Sequence, residues 1–322
     1  MYGKERETEM TANMKASATK EPLRRFAIIE APSVLGHMAT HLGVATMPDV
    51  LLKAGLDKRI GARRVGRFET PEWKVERDPA TQIMNPQAIN EYSIILANVM
   101  EKVLDNNEFP VILGGDCSIL LGTSLALKRR GRYGVLYIDG HPDMYPPEHS
   151  TILGAASASD VGYATGRGPD IVTNIEGRKP LLRDDDVVIF GYGDGAVQTR
   201  NRAPSLPDDM LAFNSDEVRI LGVETAAEEA VEHLTREGGP EGFLIHVDAD
   251  VLNQRIMWAC DAPHPDGFSW DELSTTLRVA MSSPKAIGLQ LTIYNPDMDP
   301  YHLSGRGFAA TVGKALAPFA AK

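Results

Sequence analysis

"VLYIDGHPDMYPPE" occupies residues 135–148. It begins as an apolar run, Val135 to Ile138, and stops abruptly at Asp139, His141 and Asp143, with Gly140 and Pro142 between them. Apolar residues without alternation suit a strand buried on both faces, as in a parallel sheet covered by helices. Five more runs share this character: "RFAIIEAP" (25–32), "FPVILGGD" (109–116), "DVVIFGYGD" (186–194), "GFLIHVDAD" (242–250) and "AIGLQLTIYNP" (286–296). Helical patterns lie between them. "PQAINEYSIILANVMEKVLDN" (86–106) puts Ile89, Tyr92, Ile95, Leu96, Val99 and Val103 on one face. "VETAAEEAVEHLTREGG" (223–239) ends in a glycine pair that stops a helix, and Ser269 and Glu272 stand at capping-box spacing in "SWDELSTTLRVAMSS" (269–283). Strands alternating with helices predict an α/β fold around a mainly parallel sheet.

Composition narrows the partners. The 322 residues carry a net charge of −11, with 43% hydrophobic residues and no sustained basic block. Nucleic acid and anionic membrane surfaces are therefore disfavoured, and a small-molecule substrate is expected. No stretch approaches the roughly 18 apolar residues of a spanning helix. The N-terminal segment is polar and lacks the apolar core of a signal peptide. The expectation is a cytoplasmic protein with a mobile tail over residues 1–22 and one domain over residues 23–322, in which residues 202–211 form a surface loop. Its two cysteines, Cys117 and Cys260, are too few for a disulfide framework.

In open parallel sheets, ligands bind beyond the carboxyl ends of the strands. One cluster of Asp139, His141 and Asp143 at such an end would serve equally well to cap the next helix. A second strand ending in Asp248 and Asp250 changes that balance. Residues i and i+2 on extended backbone point the same way, so each set converges. Carboxylates gathered this closely repel one another, and a divalent cation is the simplest relief. Carboxylates with one imidazole suit Mn, Zn, Fe or Ni better than a thiolate-only zinc site.

"GGDCS" (114–118), "DGHPD" (139–143) and "HVDAD" (246–250), in this order, resemble the signature motifs of the arginase, agmatinase and formiminoglutamase (ureohydrolase) family. Those motifs usually read GGDHS, DAHxD and SxDxDxxDP. "DAPHPDGFSWDEL" (261–273) and "IYNPDMDP" (293–300) extend the resemblance over roughly residues 25–320. It implies a three-layer αβα fold with an eight-stranded, mainly parallel sheet and a binuclear metal centre. In the family's pattern Asp139 and Asp248 bridge both ions, Cys117 and Asp143 complete one, and His141 and Asp250 complete the other. One or two divalent ions per chain are implied, manganese first, with zinc or nickel as alternatives. A metal-activated hydroxide would then attack a trigonal carbon, with Asp143 relaying its proton to the departing amine. A homo-oligomer, trimer or hexamer, is also implied.

Four positions depart from the family's pattern. Cys117 replaces a usual His ligand. As a thiolate it would draw softer ions such as zinc or nickel; alternatively it is a small buried hydrophobe. Ile293 replaces a Glu that pairs with a guanidinium, which turns the expected substrate toward an amidine, a formimino group, a modified guanidine or a linear amide. The shuttle His expected within residues 150–160 is missing, and His149 is the nearest substitute, or else an exposed loop residue. Asn253 replaces the final Asp of the third motif. His246, on the same side as Asp248 and Asp250, supports a ligand, offsets Cys117 as a ligand itself, or is a core histidine. Trp258 and Cys260 are candidates for shaping the substrate pocket. The expected activity is hydrolysis of a non-peptide C–N bond. The alternative is a relative that has lost catalysis and serves as a regulatory or ligand-binding subunit.

Overall fold

Each of the six apolar runs forms a strand. The computed structural model describes residues 22–149, 152–193 and 202–321, so all but the last residue of the expected tail lies outside the described residues. Within them eight strands make one sheet: β1 (Phe26–Ala31), β2 (Arg63–Arg67), β3 (Phe109–Gly114), β4 (Gly134–Ile138), β5 (Val187–Tyr192), β6 (Leu211–Asn214), β7 (Phe243–Asp248) and β8 (Ala286–Thr292). The order is β2-β1-β3-β8-β7-β4-β5-β6, and every pairing is parallel. Strands β1, β3, β4 and β7 are buried at every position, as unalternating apolar runs require.

Helices cover both faces, and the strand pleat divides the core between them. Leu136 and Ile138 of β4 pack with α1 (Met47–Lys53), α5 (Val223–Thr235), α6 (Trp270–Ser282) and α7 (Leu303–Leu316). Val135 and Tyr137 face α2 (Pro86–Asp105) and α3 (Leu120–Arg130). A further helix, α4 (Ser215–Leu221), follows β6 directly. The capping box of α6 is complete: Ser269 N–H donates to Glu272 Oε2 at 2.6 Å, and Glu272 N–H donates to Ser269 Oγ at 3.2 Å. Among the described residues no helix is long and apolar enough to cross a membrane.

Two expectations need correction. Ile95 is 42% exposed; the buried stripe of α2 runs through Ile89, Tyr92, Leu96, Val99, Met100 and Val103, and Ile95 lies one position, about 100° of helix turn, off it. Leu211, counted with the surface loop, opens strand β6.

Register positions the chemistry. Ile138 of β4 pairs with Val247 of β7, so Asp139 and Asp248 leave neighbouring strands at one level. Tyr137 pairs with His246, His246 with Gln290, and Asp248 with Thr292, which lays these side chains in cross-strand rows. The turn after β3 brings Cys117 to the same level. It needs its glycines: a Cβ on Gly115 would sit 1.8 Å from the Ser33 carbonyl oxygen. Asp116 fastens the turn by accepting from Ser33 Oγ (3.0 Å), Gly36 N–H (3.2 Å) and Ser118 N–H (2.8 Å).

Candidate metal centre

Residues at the carboxyl ends of β4, β7 and β8 line a cavity of about 220 Å³. That is below the roughly 300–1,000 Å³ of drug-sized sites, so it admits a small molecule. Asp143, His141, Asp248 and Asp250 line it, together with Ile293, His37 and Asp261.

Two groups of donor atoms lie beneath the cavity. Cys117, Asp139, His246 and Asp248 bring one ligand atom each within 4.8 Å of one another, and so do Asp139, His141 and Asp250. Asp139 belongs to both. In the first group Cys117 Sγ lies 2.9 Å from Asp248 Oδ2 and 3.6 Å from His246 Nε2. In the second, His141 Nδ1 lies 3.0 Å from Asp250 Oδ2. Backbone donors hold the carboxylates in place: His141 N–H to Asp139 Oδ1 (2.6 Å), Gly140 N–H to Asp250 Oδ1 (3.0 Å) and Asp250 N–H to Asp248 Oδ1 (2.7 Å). Asp139 Oδ2 is buried and accepts no hydrogen bond. Cys117 and Cys260 are both free thiols.

The electrostatics are those of a cation site. Burial, with Asp143, Asp248 and Asp250 close by, pushes Asp139 well above the usual carboxylate range. Burial and the Asp250 charge do the same to Asp248. Burial acts to lower His141, but the charge and hydrogen bond of Asp250 outweigh it and raise the imidazole to about 9. Burial acts to raise Asp250, yet His141 beside it holds that carboxyl low. The His141 proton thus does part of the work a metal ion would do. The donors fit divalent cations: oxygens, imidazoles and a thiol converge, and one carboxylate oxygen is unpartnered.

Asp143 stands apart from both groups. It has φ 45° and accepts from the Tyr137 hydroxyl at 2.9 Å, while the same phenol lies 3.1 Å from Asp160 Oδ1. One phenolic proton cannot serve two carboxylates. Burial drives Asp160 well above the usual range, and the phenol makes its shorter contact to Asp143. Burial also pushes Asp143 up to about 7, against the pull of His141.

The other expected residues are dispersed. His149 is not among the cavity's lining; its ring packs on Tyr145 at 4.8 Å, and Tyr145 does line the cavity. Trp258 and Cys260 do not line it, but their neighbours Asp261 and Ala262 do. Asn253 braces its own turn, accepting from Arg255 N–H at 2.9 Å. Ile293 is 5% exposed on the cavity wall with φ 72°, a conformation a β-branched residue adopts only under constraint.

One further pair lies outside the proposed ligand motifs. His37 Nε2 and Asp261 Oδ2 lie 2.5 Å apart on the cavity wall, with half-exposed His41 at 3.8 Å from the other Asp261 oxygen. The two groups meet without hydrogen-bond geometry, so both ring nitrogens and both carboxylate oxygens are buried without a hydrogen-bond partner. Burial lowers His37 to about 4 and raises Asp261 to about 8, which favours a neutral pair with the proton on Asp261. In the sequence Asp261 opens the stretch 261–273 that extends the resemblance, whereas His37 has only its position after β1 to mark it.

An all-parallel α/β sheet whose central strand ends gather carboxylates, imidazoles and a thiol has the build of a metallohydrolase. Residues 24–317 match the profile of the Arginase family. An arginase from Staphylococcus aureus is 24% identical over 294 residues, covering 89% of this chain and 95% of the relative. Among solved structures, an arginase from Bacillus caldovelox superposes with a TM-score of 0.80 at 22% identity, over 91% of this chain and 98% of its own. The formimidoylglutamase from Bacillus subtilis superposes with a TM-score of 0.69 at 17% identity, over 92% and 88%. The chain belongs to the arginase family, a family of divalent-metal hydrolases of C–N bonds other than peptide bonds.

Proposed function

We propose that this protein hydrolyses a C–N bond of a small amidine, formimino, modified guanidine or linear amide compound. Asp139 and Asp248 would hold two divalent ions between them, with Cys117, His141 and Asp250 completing their shells and Asp143 beside them. The observation that carries the reading is the convergence of Asp139, Asp248, His141 and Asp250 under a small cavity. Bound divalent ions would supply Lewis acidity and a water acidic enough to attack near neutral pH. The residues of the chain do the rest. Asp143, a buried carboxylate on the cavity lining held by the Tyr137 hydroxyl at 2.9 Å, is placed to take a proton from the attacking water and return it to the departing nitrogen. Asp261, with His37 behind it, offers a second proton on the opposite wall.

Ile293 favours the neutral member of this set, the linear amide. An apolar side chain on the wall gives a cation no charge partner there, and amidines and formimino groups, like guanidines, are protonated near neutral pH, so burying any of them unpaired is costly. The reading is tested by offering guanidino, formimino and simple amide compounds to the metal-loaded protein and measuring released urea or ammonia. Release from neutral amides, with little from arginine or agmatine, is expected; no release from any class contradicts it. An Ile293→Glu variant is expected to shift the preference toward guanidines. One charged hydrogen bond is worth about 1.5–3 kcal/mol, so kcat/KM for a simple guanidine should rise roughly 10- to 100-fold over the wild type. An unchanged ratio of guanidine to amide turnover would contradict this role for position 293.

A further inference from the structure

We propose that the two donor groups are chemically unlike cation sites. The inner one, built from Cys117, His246, Asp139 and Asp248, selects a borderline-soft ion such as Zn²⁺, with His246 a ligand in its own right. The outer one, built from Asp139, His141 and Asp250, takes a harder ion such as Mn²⁺. The proposal rests on the metallohydrolase reading but goes beyond it, since that reading requires neither His246 nor any difference between the ions.

The inner group is buried: Cys117, Asp139 and His246 are fully so, and Asp248, nearly so, is its one member on the cavity lining. Its spacing suits one small ion. Ligands about 2.0–2.3 Å from a common ion at the tetrahedral angle sit roughly 3.3–3.7 Å apart. His246 Nε2 lies 3.6 Å from Cys117 Sγ, within that span, while its 4.0 Å to Asp139 Oδ2 and the 2.9 Å between Cys117 Sγ and Asp248 Oδ2 fall a few tenths of an ångström to either side of it. Asp139 Oδ2 is the buried oxygen without a hydrogen bond, and it lies on the His246 side. Were Cys117 only a small hydrophobe, apolar neighbours would surround its sulfur. Instead Sγ meets Asp248 Oδ2 at 2.9 Å and Thr292 Oγ1 at 3.1 Å.

His246 is also held as a ligand histidine is held, by its other nitrogen. As placed, Gln290 Nε2 donates to His246 Nδ1 at 2.8 Å and Thr123 Oγ1 donates to Gln290 Oε1 at 2.9 Å. Turning the amide over keeps every group satisfied, because the Thr123 hydroxyl can accept from the amide nitrogen while donating to the Leu120 carbonyl at 3.1 Å. In that orientation the amide oxygen accepts from Nδ1–H and the Nε2 lone pair faces the sulfur and Asp139, which is the arrangement a bound ion would select. Tyr137, stacked on the ring at 4.2 Å and 10°, fixes its plane. The imidazole missing from the turn after β3 is thus supplied from β7. A sulfur, a nitrogen and two oxygens favour Zn²⁺, whereas one imidazole and two carboxylates suit Mn²⁺.

The test is stoichiometric loading of the full chain, stripped with a chelator and then offered one equivalent of Zn²⁺ per chain with Mn²⁺ in excess, because zinc outcompetes manganese at either site when both are plentiful. One ion of each per chain is expected. Cobalt replacing zinc should show a near-ultraviolet sulfur-to-cobalt charge-transfer band on wild-type protein, absent in Cys117→Ser. In His246→Gln the inner ion should bind roughly 100-fold more weakly or worse, with Mn²⁺ retained. Two Mn²⁺ per chain and no charge-transfer band would overturn the unlike sites while leaving a metallohydrolase standing. Zinc binding unchanged in His246→Gln would overturn the role of His246. The wild-type titration decides the selectivity even if a variant fails to fold. Failure to bind either ion would overturn this proposal together with the reading beneath it.

Discussion

An Asp139→Asn variant is expected to lose both ions and nearly all activity while remaining folded. Asp139 is shared by both donor groups, so one substitution disables the whole centre. Bound ions supply several kcal/mol of transition-state stabilisation, and their loss lowers turnover on the order of 10³-fold or more. The fold should survive because the Asn oxygen can still accept from His141 N–H, the contact Asp139 Oδ1 makes at 2.6 Å. Removing one of several buried carboxylates also relieves repulsion, so the ion-free variant should melt no lower than the ion-free wild type. Its melting temperature should barely respond to added metal, whereas that of the wild type should rise. Calorimetry of both proteins with and without metal checks each point, and a variant that keeps its ions would contradict the shared role of Asp139.

The ion-free protein is expected to lose stability as pH rises from 6.5 to 9. Folding raises the Asp143 carboxyl from 3.8 to about 7 and Asp261 from 3.8 to about 8, and pushes Asp139 and Asp248 well up. A carboxyl raised in this way stabilises the fold while protonated, fully below its unfolded pKa, and that contribution is gone once pH passes the folded value. His141, raised from 6.5 to about 9, contributes fully below 6.5 and loses its contribution as pH rises through 9. These groups all act in one direction over the alkaline window. His37 and His246, lowered from 6.5 to about 4 and about 3, oppose them only below pH 6.5. Each group contributes about 1.4 kcal/mol per pH unit across its own window, so melting should fall by roughly 5–10 °C. With ions bound the slope should weaken or reverse, because protons compete with metal for the same atoms. A melting temperature of chelated protein that rises from pH 6.5 to 9 would contradict the crowding of carboxylates.

The central strands were legible because burial on both faces leaves unbroken apolar runs, and each such run became a strand. The edges were not. Strand β2 reads Arg-Arg-Val-Gly-Arg and β6 is four residues long, and an edge strand exposed to water needs charge more than apolar character. At the site, Asp139, His141, Asp248 and Asp250 were visible because i, i+2 spacing at a strand end keeps ligands together. Side chains that depend on pairing between distant strands left only partial signals. His246 could be noticed from its parity with Asp248, but its tie to Gln290 follows from the β7–β8 register. Tyr137 reads as one more apolar strand residue until its hydroxyl is found between Asp143 and Asp160. His37 and Asp261 are separated by most of the chain, and only folding brings them within 2.5 Å.

Metal content is the most direct test of the account. Protein purified without added metal, and again after chelation and reloading, should carry two divalent ions per chain by elemental analysis, and Asp139→Asn should carry none. A wild-type protein that holds no metal as purified and takes up neither manganese, zinc nor nickel would contradict a metallohydrolase centre at these strand ends.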